Sequence, residues 1–146
     1  MVLPYLTGWV VMNIMKKLEV LLVCPNELPK KMTISNTLKA KQKLVGGLIE
    51  VFYLNGEEEV CFICNEEGKL NNLEPNRIIG NEIIYGNFIV IGDDYENADF
   101  KSLTKKQISK YKEYFNQDSI DKTNSRISAR KLAQELFKRR LYGSNR

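Results

Sequence analysis

The residues best suited to binding chemistry fall on either side of one polar stretch. Asn65-Glu66-Glu67-Gly68-Lys69 closes an apolar run, and Pro75-Asn76-Arg77 follows soon after. Asn65 carries both a donor and an acceptor, Glu66 accepts, and Arg77 offers a planar fork that matches phosphate or carboxylate. A loop joining two core strands can bring Asn65, Glu66, Asn76 and Arg77 together, with Tyr85 available to stack. That arrangement suits a small polar molecule such as a nucleotide. The competing reading is a strand end with a polar turn. There Asn and Gly serve backbone geometry, and Arg77 forms a salt bridge to Glu66 or Glu67. The sequence supports both.

A second group is basic. Residues 1–117 hold 14 Lys and Arg against 15 Asp and Glu, a net of −1, whereas residues 118–146 hold 8 against 3, a net of +5. Any electrostatic argument about partners therefore belongs to the C-terminal segment. On a helix, Arg126, Arg130 and Lys138 fall within one side, with Lys131 and Arg139 nearby and Arg140 adjoining. Such a helix contacts nucleic-acid phosphates or an acidic protein, or is simply a solvated face. It carries no helix-turn-helix signature and no aromatic stacking pattern of an RNA module.

Other chemistry is argued against. The chain has no histidine, which removes the commonest general base and most zinc and iron sites. Cys24, Cys61 and Cys64 make an odd count in apolar surroundings, as expected of reduced core thiols in a cytoplasmic protein. Cys61 and Cys64 stand three apart, so on a strand they point to opposite faces and share no ligand site. Gly46-Gly47 follows a helix and lacks the Lys-Ser/Thr of a phosphate-binding loop. Glu57-Glu58-Glu59 and Asp93-Asp94 have no metal-binding spacing and read as solvated loop charge. No nucleophile, base and orienter can be assembled, so the expectation is a protein that is not an enzyme, with no cofactor and no metal.

The elements that must position these residues follow from pattern. Leu18–Val23 is a continuous apolar run, a central strand. Met32-Thr33-Ile34 is a short strand, and Ser35 or Asn36 caps a helix through about Val45 that Gly46-Gly47 stops. Strands over Leu48–Leu54 and Glu58–Asn65 flank an Asn55-Gly56 hairpin turn. Glu66–Asn76 is a polar loop with Leu70 and Leu73 turned inward. Glu82–Tyr85 and Asn87–Ile91 are strands separated by a bulge or close approach at Gly86. Gly92–Asp99 is an acidic loop. Thr104–Phe115 is a helix with Ile108, Tyr111, Tyr114 and Phe115 as its packing stripe, and Asn116–Asn124 is a linker. Arg126–Tyr142 is the basic helix, with Ile127, Leu132, Leu136, Phe137 and Leu141 on one broad side.

The fold class is α+β: a mostly antiparallel sheet with helices packed on one face and an extra basic C-terminal helix. The expected division is an extension over residues 1–17, a core over 18–117 and a basic helical appendage over 118–146. The first residues lack a basic n-region, are interrupted by Pro4 and Gly8, and are too short to span a membrane. Met12 and Met15 are alternative starts, so residues 1–14 read as a translated leader or extension, poorly ordered or loosely docked. Exposed sheet edges make a homo-oligomer plausible.

Several spaced runs resemble a known family. They are Asn36-Thr37-Leu38, Leu44-Val45-Gly46-Gly47-Leu48-Ile49-Glu50-Val51, Cys64-Asn65-Glu66-Glu67-Gly68-Lys69-Leu70, Pro75-Asn76-Arg77 and Gly86-Asn87-Phe88-Ile89-Val90. In that order they resemble the domain of unknown function three-eight-four-six, a family of phages, plasmids and conjugative elements, over roughly Leu18 to Phe115. The resemblance implies a mobile-element origin and an intracellular setting, and no reaction. With it, the expectation is a small binding protein that acts in counter-defence or host takeover, in the host cytoplasm and without a membrane. It would occupy a host protein through the basic helix or a nucleotide-type signal through the polar loop. The alternative is a nucleic-acid-binding accessory factor that uses the same helix.

Overall fold

The structure, a computed structural model, describes residues 16–57 and 59–143. Most of the expected N-terminal extension, together with Glu58, lies outside the described residues. Eleven elements follow in order: β1 (Lys17–Val23), β2 (Lys30–Ser35), α1 (Leu38–Val45), β3 (Ile49–Phe52), β4 (Val60–Asn65), β5 (Pro75–Ile79), β6 (Glu82–Tyr85), β7 (Phe88–Asp94), β8 (Asp99–Lys101), α2 (Lys105–Tyr114) and α3 (Gln117–Tyr142). The main sheet runs β2-β1-β7-β4-β3, with β8 also on β7, and β5–β6 form a separate hairpin. Every pairing is antiparallel. The α+β class and antiparallel sheet agree with the sequence pattern.

The helices differ from expectation in placement, because the sheet is buried on both faces. All six residues of β4 are buried, as a central strand requires. Its alternate side chains feed two cores. Phe62 and Cys64 join Leu21, Val23, Phe88 and Val90 beneath Tyr111 and Phe115, on the face that α2 covers. Cys61 and Ile63 join Val20, Ile34, Ile89 and Ile91 beneath Val45, on the face that α1 covers. Helices therefore pack on both faces. On the α2 side the aromatic rings meet edge to face, Phe62 with Tyr111 at 5.6 Å and Phe88 with Phe115 at 5.2 Å.

Several boundaries shift for identifiable reasons. Thr37, not Ser35 or Asn36, caps α1, accepting from the Ala40 N–H at 3.1 Å. Asn36 is engaged elsewhere: its side chain donates to Asp99 and accepts from Lys41. Gly46 ends α1 at φ +82°, as glycine permits. β7 runs on through Gly92, Asp93 and Asp94 into what reads as an acidic loop, because β8 pairs with it there. Of the acidic run at 57–59, Glu57 pairs with Lys110 at 2.8 Å and Glu59 with Lys101 at 3.4 Å. Asn116–Asn124 is no linker. Asn116 caps α3 by accepting from the Ser119 N–H, and Ile120 and Thr123 are buried one turn apart. Leu70 is 81% exposed rather than turned inward.

The two-sided core places Cys61 and Cys64 on opposite faces, and burial pushes their thiols up from 9.0 to about 12 and about 11. Cys24, only partly buried, should therefore react first with a thiol reagent at pH 8, and the other two only on unfolding. Native labelling of Cys61 at the rate of Cys24 would contradict this packing. The sign for stability follows from the raised values. The unfolded thiols ionise first, so stability is fully present below about pH 9 and declines as pH rises above it.

Candidate functional site

The polar residues picked out in the sequence are built into the structure in two places. The first begins with an irregularity in the β5–β6 hairpin. Pro75 pairs with Tyr85 and Arg77 with Ile84, so Asn76 is an extra residue in a bulge. A regular strand would send Asn76 and Arg77 to opposite faces. The bulge lets both be buried, at 3% and 0% exposure. Gly86, on the other side of the hairpin at φ +82°, is the close approach rather than the bulge: a Cβ there would lie 2.7 Å from Leu73 Cδ1, and the extra residue is Asn76.

Asn76 then ties the hairpin to the main sheet. Its amide nitrogen donates to the Val23 and Gly86 carbonyls, each at 2.8 Å. Its Oδ1 accepts from Arg77 Nη1 at 2.9 Å. The same Nη1 donates to the Asn76 carbonyl at 3.3 Å. Arg77 Nη2 donates to the Glu27 carbonyl at 2.6 Å and to the Phe115 carbonyl at 3.1 Å. Nε donates to Ser119 Oγ at 2.8 Å. Every donor of the guanidinium is used, all on uncharged oxygens. Burial lowers its pKa to about 10, so it stays charged at neutral pH. The predicted partners Glu66 and Glu67 are not among its contacts, and no donor is left to clamp a phosphate. Ser119, Glu27 and Phe115 were missed in the sequence because two of the three contribute backbone carbonyls, which no residue type advertises.

Asn65 does a similar task elsewhere. Its amide nitrogen donates to the Val45 carbonyl at the end of α1, and its Oδ1 accepts from the Glu67 N–H at 2.8 Å. It thus pins α1 to β4 and shapes the following turn. Gly68 in that turn has no room for a side chain, since a Cβ would lie 2.6 Å from the Tyr85 carbonyl.

Asn65, Glu66 and Tyr85 do share a surface. They line a cleft of about 550 Å³ between β3–β4 and the β5–β6 hairpin, together with Phe52, Tyr53, Glu50 and Glu82. Asn76 and Arg77 are not part of it, so the five predicted residues do not converge. Lys69 is the cleft's sole cation among the lining residues. The cleft is therefore acidic and aromatic rather than anion-binding. Among the described residues no group of three His, Cys, Asp or Glu could hold a metal ion.

The basic residues form a different surface. The first turns of α3 are fixed by Ile120, Thr123, the Arg77–Ser119 bond and an Asn124–Asn26 bond at 3.1 Å. From Ser128 to Tyr142 every residue is exposed. Leu132 and Leu136 form one row at four-residue spacing and Phe137 and Leu141 the next, and all four are more than half exposed. The arginines stand among these rows: Arg130 lies two turns before Phe137 and Arg140 one turn after Leu136. Lys131 and Lys138 flank these rows, with Arg139 and Arg126 completing the set. Over residues 126–142 there are six cations against one acid, Glu135. No helix among the described residues is long and apolar enough to cross a membrane.

Comparison with known proteins bears on the core alone. The model of the family described as Domain of unknown function (DUF3846) matches residues 15–116, and the chain belongs to that family. The match stops where α3 starts. No curated protein and no solved structure matches the chain.

The Arg77 geometry makes a direct prediction. Arg77→Met leaves the Glu27 and Phe115 carbonyls, the Ser119 hydroxyl and Asn76 Oδ1 short of their buried donor. It should destabilise the fold by roughly 3–5 kcal/mol in chemical denaturation. Arg77→Lys, with a point charge in place of the fork, should recover only part of that. Full stability with loss of a bound small molecule would instead mark Arg77 as a ligand residue.

Proposed function

We propose that this is a non-catalytic binding protein that docks an acidic protein partner on the projecting half of α3. One observation carries the reading: apolar and cationic side chains are interleaved on a helix that nothing else in the described chain covers. Contiguous exposed apolar surface marks interaction sites, and Phe, Tyr and Arg are enriched at protein interfaces. The interleaving also discriminates between partners. A phosphate backbone needs the cations but not Leu132, Leu136 or Phe137. A bilayer needs the apolar rows but not arginines within them. An apolar groove with an acidic rim uses both. Pairing of α3 with α3 of a second copy is opposed by like charge on both helices.

The non-catalytic part is supported by the use of the polar residues. Asn65, Asn76 and Arg77 are committed to internal bonds, and the buried cysteines are held as thiols. In the mobile-element setting that the family resemblance implies, the partner is a host protein in the host cytoplasm, and occupying it serves counter-defence or host takeover. The nucleic-acid reading keeps one point in its favour, the six cations of residues 126–142.

A photo-crosslinking residue at position 136 tests this in bacterial cells. It should join the chain to one protein, while the same residue at exposed position 95 should not. Leu132→Ser with Phe137→Ser should reduce the adduct at least about tenfold without loss of folding, since both side chains are already exposed. If nuclease removes what co-purifies, and Lys131→Glu with Lys138→Glu is the change that abolishes it, the helix is a nucleic-acid contact. An adduct that neither pair of changes affects would sink both readings.

A further inference from the structure

The two edges of the main sheet are not alike. β2 is protected: Pro29 precedes it, it opens with Lys30 and Lys31, and Lys31 pairs with Glu19 at 3.3 Å. Lysine and proline are standard devices against strand addition. β3, at the opposite edge, has neither. Its sequence is Ile49-Glu50-Val51-Phe52, with no bulge in its pairing to β4.

Hydrogen-bond parity shows what that edge presents. The Glu66 N–H donates to the Leu48 carbonyl at 2.8 Å, and the Asp93 N–H donates to the Glu59 carbonyl at 2.9 Å. In an antiparallel ladder bonded pairs alternate. Even-numbered residues of β4 therefore bond to β3 and odd-numbered ones to β7. On β3, Glu50 and Phe52 bond to Cys64 and Phe62. The N–H and C=O groups of Ile49 and Val51 point away from the sheet, and no described residue meets them.

The acidic cleft lies beside this edge. Glu50 and Phe52 of β3 line it, as do Tyr53 and Tyr85, with Glu66 and Glu82 opposed only by Lys69. We infer that the β3 edge is a second binding surface, which takes an extended, basic polypeptide segment by strand addition. The backbone of the segment pairs with Ile49 and Val51. Its alternate side chains fall on the cleft side, where lysine or arginine stems lie along Phe52, Tyr53 and Tyr85 and their charges reach the carboxylates. The occupant is basic because the cleft is acidic. An acidic strand would meet Glu50, and like charges on neighbouring strands repel. This surface is independent of α3 and has the opposite sign.

The test is an amide NMR titration of the full chain with a capped octapeptide that alternates lysine with valine or threonine. A control peptide carries glutamate at each lysine position. The lysine peptide should shift the Ile49 and Val51 amides and slow their hydrogen exchange by about tenfold or more at saturation. The glutamate peptide should not. Val51→Pro removes one of the outward N–H groups and should abolish the effect. Glu50→Lys with Glu82→Lys changes only exposed side chains and should reverse the charge preference. No shift at β3 with either peptide, equal shifts with both, or a preference unchanged by the double substitution would overturn the proposal. None of these results bears on crosslinking from position 136, so the two surfaces stand or fall separately.

Discussion

The guanidinium of Arg77 sits at the meeting point of four pieces of chain, and their relative placement depends on it. It reaches the turn after β1 through Glu27, the end of α2 through Phe115, the start of α3 through Ser119, and the hairpin bulge through Asn76. A buried cation with no carboxylate beside it is costly, several kcal/mol in desolvation alone. The compensation comes from dipoles. Three backbone carbonyls, a side-chain amide oxygen and a hydroxyl supply the negative end of each bond. Phe115 also lies at the C-terminal end of α2, where the helix dipole favours positive charge. Burial still lowers the arginine pKa to about 10, the signature of a site that neutral oxygens compensate incompletely.

What could be read from the sequence is what depends on near neighbours. β1 is an apolar run, α1 ends at a glycine, β6 matches its predicted bounds, and Ile108, Tyr111 and Phe115 pack as their spacing implies. The opposite facing of Cys61 and Cys64 needed only the two-residue period of a strand. What escaped depends on distant partners. Asp93 and Asp94 read as loop until β8 is there to pair with them. Asn116–Asn124 reads as linker because its apolar content is low, yet Ile120 and Thr123 at one-turn spacing suffice to seat a helix that Asn116 caps. β5 was hidden because its bulge breaks the alternation by which strands are recognised.

The candidate site shows the same limit more sharply. Asn65, Asn76 and Arg77 were singled out because they are polar residues next to core strands. The same residues are needed when two pieces of backbone must be joined through the interior, and residue type does not separate the two uses. Burial does: Asn76 and Arg77, with every side-chain donor satisfied inside the fold, have none left for a ligand. The residues that remain available, Tyr53, Tyr85 and Glu82 in the cleft and Leu136 and Phe137 on α3, are individually commonplace on a surface. Only their grouping is informative, and it appears once the chain is folded.

The knot at Arg77 also explains why a polar centre occupies a place that apolar packing could fill. Apolar contacts are non-directional, whereas the bond from Nε to Ser119 Oγ and that from Nη2 to the Phe115 carbonyl have defined angles. Ser119 lies in the first turn of α3, and Tyr142 lies about 35 Å further along the same helix at 1.5 Å per residue. On a lever of that length, a tilt of about 10° at the base moves the tip by about 6 Å, more than one helical turn. Leu132, Leu136 and Phe137 can form a surface of fixed position relative to the core only if the base of α3 is held in angle as well as in contact. Ile120 and Thr123 supply the contact, and Arg77 supplies the angle. The most deeply buried charge among the described residues is thus placed where the direction of α3 is decided.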